Sequence, residues 1–321
     1  MISHIYNGSH RRPAYYEWWY FHFVAEDGTA VNMVLHETDI FGLRQEPYLS
    51  LSILLPGREP QYFRRNLTGV EIAQERPHLR VGEGLISETE QAMTFDISFS
   101  GGDSHSSAGR FSGEIVKLAP PLAIDRGVLY QDAVTGRSSH WVVQVPHSTF
   151  TAILQLGGQA LRLAGTAYHD HQWGTLPLQA FVSDWVWGHF SDGQTAVLFF
   201  QILIQAGRSV ERVAVFSEGG RYIGTRLGEN YLDTLFTAEA PEQFAGEVGI
   251  SFFEGQAQLA IGLAPDKLMR QRTNEAHDRR LASYLRWATI AEWGRGDGRR
   301  QLAGITEYLR VRLNPDGGVH C

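Results

Sequence analysis

Cysteine is almost absent: among 321 residues only Cys321 is one. An intrachain disulfide is excluded, as is any metal site built from several thiolates, and a reducing, cytoplasmic setting is the expectation. No apolar run approaches the roughly 18 residues of a membrane-spanning helix, and residues 1–13 contain no continuous apolar segment of signal-peptide length. Positive charge is not in excess either, since 28 Lys+Arg stand against 35 Asp+Glu for a net charge of −7. That balance offers no footprint for a phosphate backbone and argues against nucleic acid as a partner. Also missing are the Gly-x-Ser-x-Gly elbow of serine hydrolases, the phosphate loop and the dinucleotide fingerprint. Serine-based hydrolysis and nucleotide cofactors are therefore both disfavoured.

What is present is a succession of short, aromatic and β-branched runs. Tyr15–Val24, an Asp27-Gly28 turn and Ala30–His36 read as a hairpin. Tyr48–Leu55, Gln61–Phe63, Leu79–Val81, Gly84–Ser87, Met93–Ser100 and Gly113–Lys117 follow, separated by Gly, Pro, Asn or Asp. This is the cadence of an all-β domain, assigned to residues 1–120. Pro120 and Pro121 forbid regular pairing and mark a connector. A second β domain is expected over 121–313, with a disordered tail at 314–321. Within it, Leu232–Phe236 and Lys267–Ile290 hold helix-favouring residues, and 267–280 reads as a short helix or an ordered loop. Gly304–Arg312 reads as a closing strand.

The densest chemistry lies in the run Gly165–Gly174. Side chains alternate across a strand, so His169, His171 and Trp173 share one face while Tyr168, Asp170 and Gln172 take the other. Downstream, alternation puts Trp185, Trp187 and His189 together, then Val197, Phe199 and Gln201 against Leu198, Phe200 and Ile202. If these faces converge they form an aromatic wall bearing imidazoles and one amide. A His-x-His pair with His189 or Asp184 could ligate a transition metal, but the crowding tryptophans disfavour one and no metal is expected. General-acid attack on an alkene is a second use, with Asp170, Asp184, Glu17 and His171 as candidates. Holding a flexible polyene in its reactive fold is a third. Against all three stands plain core packing: Glu17 reads equally as a hairpin carboxylate satisfying backbone donors, and His36-Glu37-Thr38-Asp39 as a polar strand end.

Taken together, Glu17-Trp18-Trp19-Tyr20, Tyr168-His-Asp-His171-Gln-Trp173-Gly174 and Trp185-x-Trp187-Gly188 resemble the carotenoid 1,2-hydratase (hydroxyneurosporene synthase) family, which is similar to the lipocalin-like Diels–Alderases that form decalin rings in polyketide biosynthesis. The resemblance implies a β-sandwich-like N-terminal half, a C-terminal lipocalin-like β-barrel, and an apolar pocket inside the barrel or between the domains. In the hydratase branch a His-x-Trp pair and a later Tyr-x-Asp pair are implicated in adding water to a terminal isoprenoid double bond. His171 and Trp173 match the first pair. The second falls near Phe199-x-Gln201, where both members differ: an amide cannot protonate an alkene, and phenylalanine has no hydroxyl.

The departure points away from hydration and toward a cofactor-independent cyclase or isomerase of natural-product biosynthesis, acting on a long hydrophobic polyene, polyketide or isoprenoid by a Diels–Alder-type cyclisation. His171 and Trp173 would shape the site and Gln201 would hydrogen-bond a substrate carbonyl. Trp185, Trp187 and Phe199 would be its walls, with Trp19, Tyr168, His169, His189 and Trp287 as further substrate contacts. A hydratase or acid-driven terpenoid cyclase, with Asp170 or Asp184 as the acid, is one alternative. A non-catalytic carrier of a lipophilic molecule is the other.

Overall fold

In the computed structural model the residues described are 16–38, 47–67, 70–73, 78–81, 84–100, 108–176, 178–204, 209–217, 220–224, 227, 246–252, 257–263, 268–273 and 282–311. They form strands almost throughout. The first nine are β1 (Tyr16–Ala25), β2 (Ala30–Thr38), β3 (Tyr48–Leu54), β4 (Gln61–Asn66), β5 (Val70–Ala73), β6 (His78–Val81), β7 (Gly84–Glu88), β8 (Ala92–Phe99) and β9 (Gly109–Lys117). Next come β10 (Val128–Gln131), β11 (Ser138–Val145), β12 (Ser148–Leu156), β13 (Gln159–Gly174), β14 (Val182–Ser191), β15 (Ala196–Ile204), β16 (Ser209–Ser217) and β17 (Gly220–Gly224). The last five are β18 (Gly246–Phe252), β19 (Ala257–Leu263), β20 (Leu268–Thr273), β21 (Ala282–Arg295) and β22 (Gly298–Val311).

The chain divides into two compact units, Met1–Leu178 and Gln179–Cys321. In the first, one antiparallel sheet runs β4-β3-β2-β1-β13-β12-β9-β8-β7-β6-β5. β13 is its hub. Its first half pairs with β12, its second half with β11, and β1 lies along it from Gly165 to Gly174. The opening hairpin is as expected: Gly28 adopts φ 86° in the turn, and the Thr29 N–H donates to Asp27 Oδ1 at 2.8 Å.

Period-two burial in β8 and β12 turns one face to an apolar core that includes Phe23, Met33, Leu51, Phe95, Phe111 and Phe150. β1 departs from that pattern, because all ten of its residues are buried. In the second unit the order is β17-β16-β15-β14-β22-β21-β19-β18, with β20 also on β21. A second core gathers Val186, Phe190, Phe199, Leu259, Trp287 and Tyr308.

Three expectations change. The 120/121 boundary is displaced to 178/179, because β10–β13 return to the first sheet. The two prolines do interrupt pairing, yet the connector rejoins that sheet at a Leu122–Val143 bridge. Next, the helix or loop at 267–280 is in part a strand, Leu268–Thr273, on β21. Leu285, Trp287, Ala291 and Trp293 on β21 bury at period two toward the core, and their charged neighbours hid that alternation. Finally, the closing strand begins at Gly298, six residues earlier than read, in a ribbon with β21. Residues 232–236, 274–281 and the 314–321 tail lie outside the described residues.

Candidate active site

The register of β1 on β13 assembles the central cluster. Trp19 stands opposite His171, and Phe21 opposite His169. On this inner face Glu17 and His171, 0% and 1% exposed, meet: Oε1 of the Glu17 carboxylate accepts from His171 Nε2 at 2.8 Å. The imidazole lies between two indoles, stacked on Trp19 (centroids 4.9 Å apart, planes 6°) and on Trp173 (4.6 Å, 27°). His140 from β11 also stacks on Trp173, at 5.0 Å. A carboxylate on its edge and electron-rich indole faces stabilise this imidazole whenever it carries charge. The Trp19 indole N–H is buried and has no hydrogen-bond partner among the described residues.

A second carboxyl belongs to the same place. The β1–β2 pairing keeps one register from Val24 back to Trp18, opposite His36, and then shifts, so that Thr38 rather than Glu37 stands across from Glu17. Glu37 occupies the bulge. Bulges commonly re-aim a side chain beside functional sites. Its carboxyl is 8% exposed, and Oε2 has no hydrogen-bond partner among the described residues. Burial, reinforced by the charge of Glu17, pushes its pKa up to about 7. Glu37 is thus a carboxylic acid that still holds its proton near neutrality, next to a carboxylate bonded to an imidazole.

The opposite face of the same strands carries other groups. Asp170 Oδ2 accepts from Tyr168 Oη at 2.8 Å and from Trp141 Nε1 at 3.0 Å, and Tyr168 stacks on His22. Asp170 is therefore anchored by two donors on the side away from His171. His169 shares the His171 face, but its Nδ1 donates to the Tyr20 carbonyl at 2.9 Å and its ring stacks on Phe21 at 3.9 Å. Tyr16 bonds Ser139, and burial pushes its phenol up. Burial also lowers His140, whose Nε2 pairs with Ser138 Oγ at 2.8 Å.

In the second unit the anticipated walls separate. Trp187 is registered with Phe200 and Gly188 with Phe199, so Trp185, Trp187 and His189 lie on one face of the sheet and Phe199, Gln201 and Trp287 on the other. Trp185 and Trp187 thus cannot line one surface with Phe199. Asp184 is engaged by Tyr308 Oη and Arg310 Nε, both at 2.9 Å. Sequence reading missed His140 altogether, set Glu37 aside as part of a polar strand end and left Glu17 ambiguous. The hairpin did carry a signal, since counting back from the Asp27-Gly28 turn sets Glu37 opposite Glu17.

Comparison with known proteins follows from this geometry. A family model, Carotenoid hydratase CrtC, matches residues 43–231, a span that includes His171 and Trp173 and begins after Glu37. The quinolone epoxide rearrangement protein asqO of Emericella nidulans is 29% identical over 63 residues, 20% of this chain and 17% of asqO. Hydroxyneurosporene dehydrogenase of Chlorobaculum tepidum is 28% identical over 184 residues, 53% of this chain and 44% of that protein. The chain therefore spans less than half the length of these curated relatives. Among solved structures, CghA superposes with a TM-score of 0.63 at 13% identity, covering 96% of this chain and 90% of CghA, and the shared fold is lipocalin-like. No helix among the described residues is long and apolar enough to cross a membrane.

Proposed function

This chain belongs to the carotenoid hydratase family, and from that premise we propose that it is an isomerase that cyclises a long hydrophobic polyene by proton transfer. The observation carrying the proposal is the buried Glu17–His171 contact held between Trp19 and Trp173. A purely concerted Diels–Alder route, the expectation from sequence, needs no buried acid and base. Glu37 supplies the acid that Gln201 could not.

In the proposed reaction the Glu37 carboxyl proton passes to one carbon of a double bond, whose π electrons form the new C–H bond. The cation left behind lies beside the indole faces, which stabilise positive charge. The π pair of a second double bond closes the ring. A proton is then lost from the neighbouring carbon to the His171–Glu17 pair, restoring an alkene without change in mass. Exchange with solvent between turnovers then returns a proton to Glu37 and takes one from the His171–Glu17 pair, which resets the site.

Hydration is the second reading, and the family's own description favours it. There water, rather than a second alkene, captures the cation. Exposures of 8% or less at Glu17, Trp19, Glu37 and His171 favour intramolecular capture. The test is to isolate the compound that accumulates when the gene is deleted and treat it with purified protein. A product of unchanged mass supports cyclisation, and a gain of one water supports hydration. Return of the compound unaltered would count against both.

A further inference from the structure

The second unit holds buried polar atoms that the proton chemistry leaves unused. On the face bearing its apolar core, Trp287 stands directly across from Thr306, Thr306 from Gly188, and Gly188 from Phe199. Two residues along, Gln201 lies across from Val186 on the same face. Trp287, Thr306 and Gln201 are 0%, 1% and 7% exposed, yet Trp287 Nε1, Thr306 Oγ1 and Gln201 Oε1 have no hydrogen-bond partner among the described residues. Each such atom costs roughly 1–3 kcal/mol when nothing meets it. Three on one face of four adjacent strands form a recognition pattern rather than an isolated lapse.

The amide is also aimed. Gln201 Nε2 donates to Glu211 Oε1 at 3.3 Å. Glu211 is itself fixed by Ser209 Oγ at 3.1 Å and by the Leu227 N–H at 2.9 Å. A carboxylate only accepts, so the amide nitrogen is committed to it and Oε1 is left for another donor. Gly188 lets the Phe199 ring lie close against β14: a Cβ there would sit 2.7 Å from that ring.

We propose that this face of the second unit binds an apolar molecule carrying a carbonyl at one end and a hydroxyl at the other. Trp287 Nε1–H and Thr306 Oγ–H donate to the carbonyl. Gln201 Oε1, three strands from Trp287 and two strands from Thr306, which is about 10 Å across the sheet, accepts from the hydroxyl. Phe199 and the Trp287 ring pack against the apolar frame between them. The assignment rests on second-unit residues alone and stands whether or not the proton-transfer reading does.

Isothermal titration of the full chain with β-ionone, a ketone alone, and with 3-hydroxy-β-ionone tests it. The hydroxylated probe is expected to bind the native chain at least 5-fold more tightly. Gln201→Leu should erase that preference and leave β-ionone affinity unchanged, whereas Thr306→Val should weaken both probes at least 5-fold. Without ligand, Thr306→Val should melt no lower than the native chain, because it removes only an unsatisfied hydroxyl, whereas Gln201→Leu also gives up the bond to Glu211. Failure of both probes to bind, or equal binding by the variants, overturns the proposal. So does a lowered Tm in ligand-free Thr306→Val, which would mean that fixed water already satisfies that hydroxyl.

Discussion

Glu37 is the residue on which most of the chemistry turns. It lies at the bulge of the first hairpin, beside Glu17, with a pKa near 7. Replacing it by glutamine keeps its shape and removes its proton, and turnover should fall by roughly 10²- to 10⁴-fold. In the native chain kcat/KM should be highest below about pH 7 and decline as the carboxyl ionises. Stability carries the same sign. A carboxyl raised from its ordinary 4.5 to about 7 holds its proton more firmly folded than unfolded, so folding weakens as pH climbs through that window, by at most about 3 kcal/mol. Urea midpoints at pH 4.5 and pH 8 should therefore differ more for the native chain than for Glu37→Gln. Equal differences would show that Glu37 titrates normally. Glu17→Gln should lower turnover without moving the pH midpoint upward, because it withdraws the charge that helps raise Glu37.

At the scale of elements, β13 brings the site together because β1, β11 and β12 all pair with it. The close approach to β1 depends on Gly165, where a Cβ would stand 2.2 Å from the Val24 carbonyl oxygen. Gly165→Ala should cost about 1–3 kcal/mol by overpacking, and chemical denaturation would measure it. Alternation and turn chemistry made much of this legible from sequence: the hairpin at Asp27-Gly28, the one-face set His169, His171 and Trp173, and the all-β class. Strand partners were not legible, since they are long-range choices. Nothing local in Glu17 says that its carboxylate meets an imidazole 154 residues on. The same limit placed Trp187 and Phe199 on one wall until the register set them on opposite faces. In β21, charges interleaved with Leu285, Trp287, Ala291 and Trp293 masked a strand period as mixed helical spacing.

For the whole molecule, each unit has its own sheet and its own apolar core. Destabilisation is therefore expected to stay within the unit that suffers it. In the second unit, Arg286 and Glu307, each 4% exposed, form a buried ion pair. Arg286→Met strands a buried carboxylate and should cost about 3–5 kcal/mol. Hydrogen exchange should then accelerate in β14, β21 and β22 while β1 and β13 keep their protection. Loss of protection in both sets together would contradict the division after Leu178.

The central claim is that Glu37, Glu17 and His171 move a proton onto carbon. Turnover of the accumulated compound in heavy water, followed by accurate mass and NMR of the product, tests it most directly. The account predicts one deuterium bound to carbon, with incorporation suppressed in Glu37→Gln. A cyclised product formed at full rate with no carbon-bound deuterium would contradict the account and leave a concerted ring closure in its place.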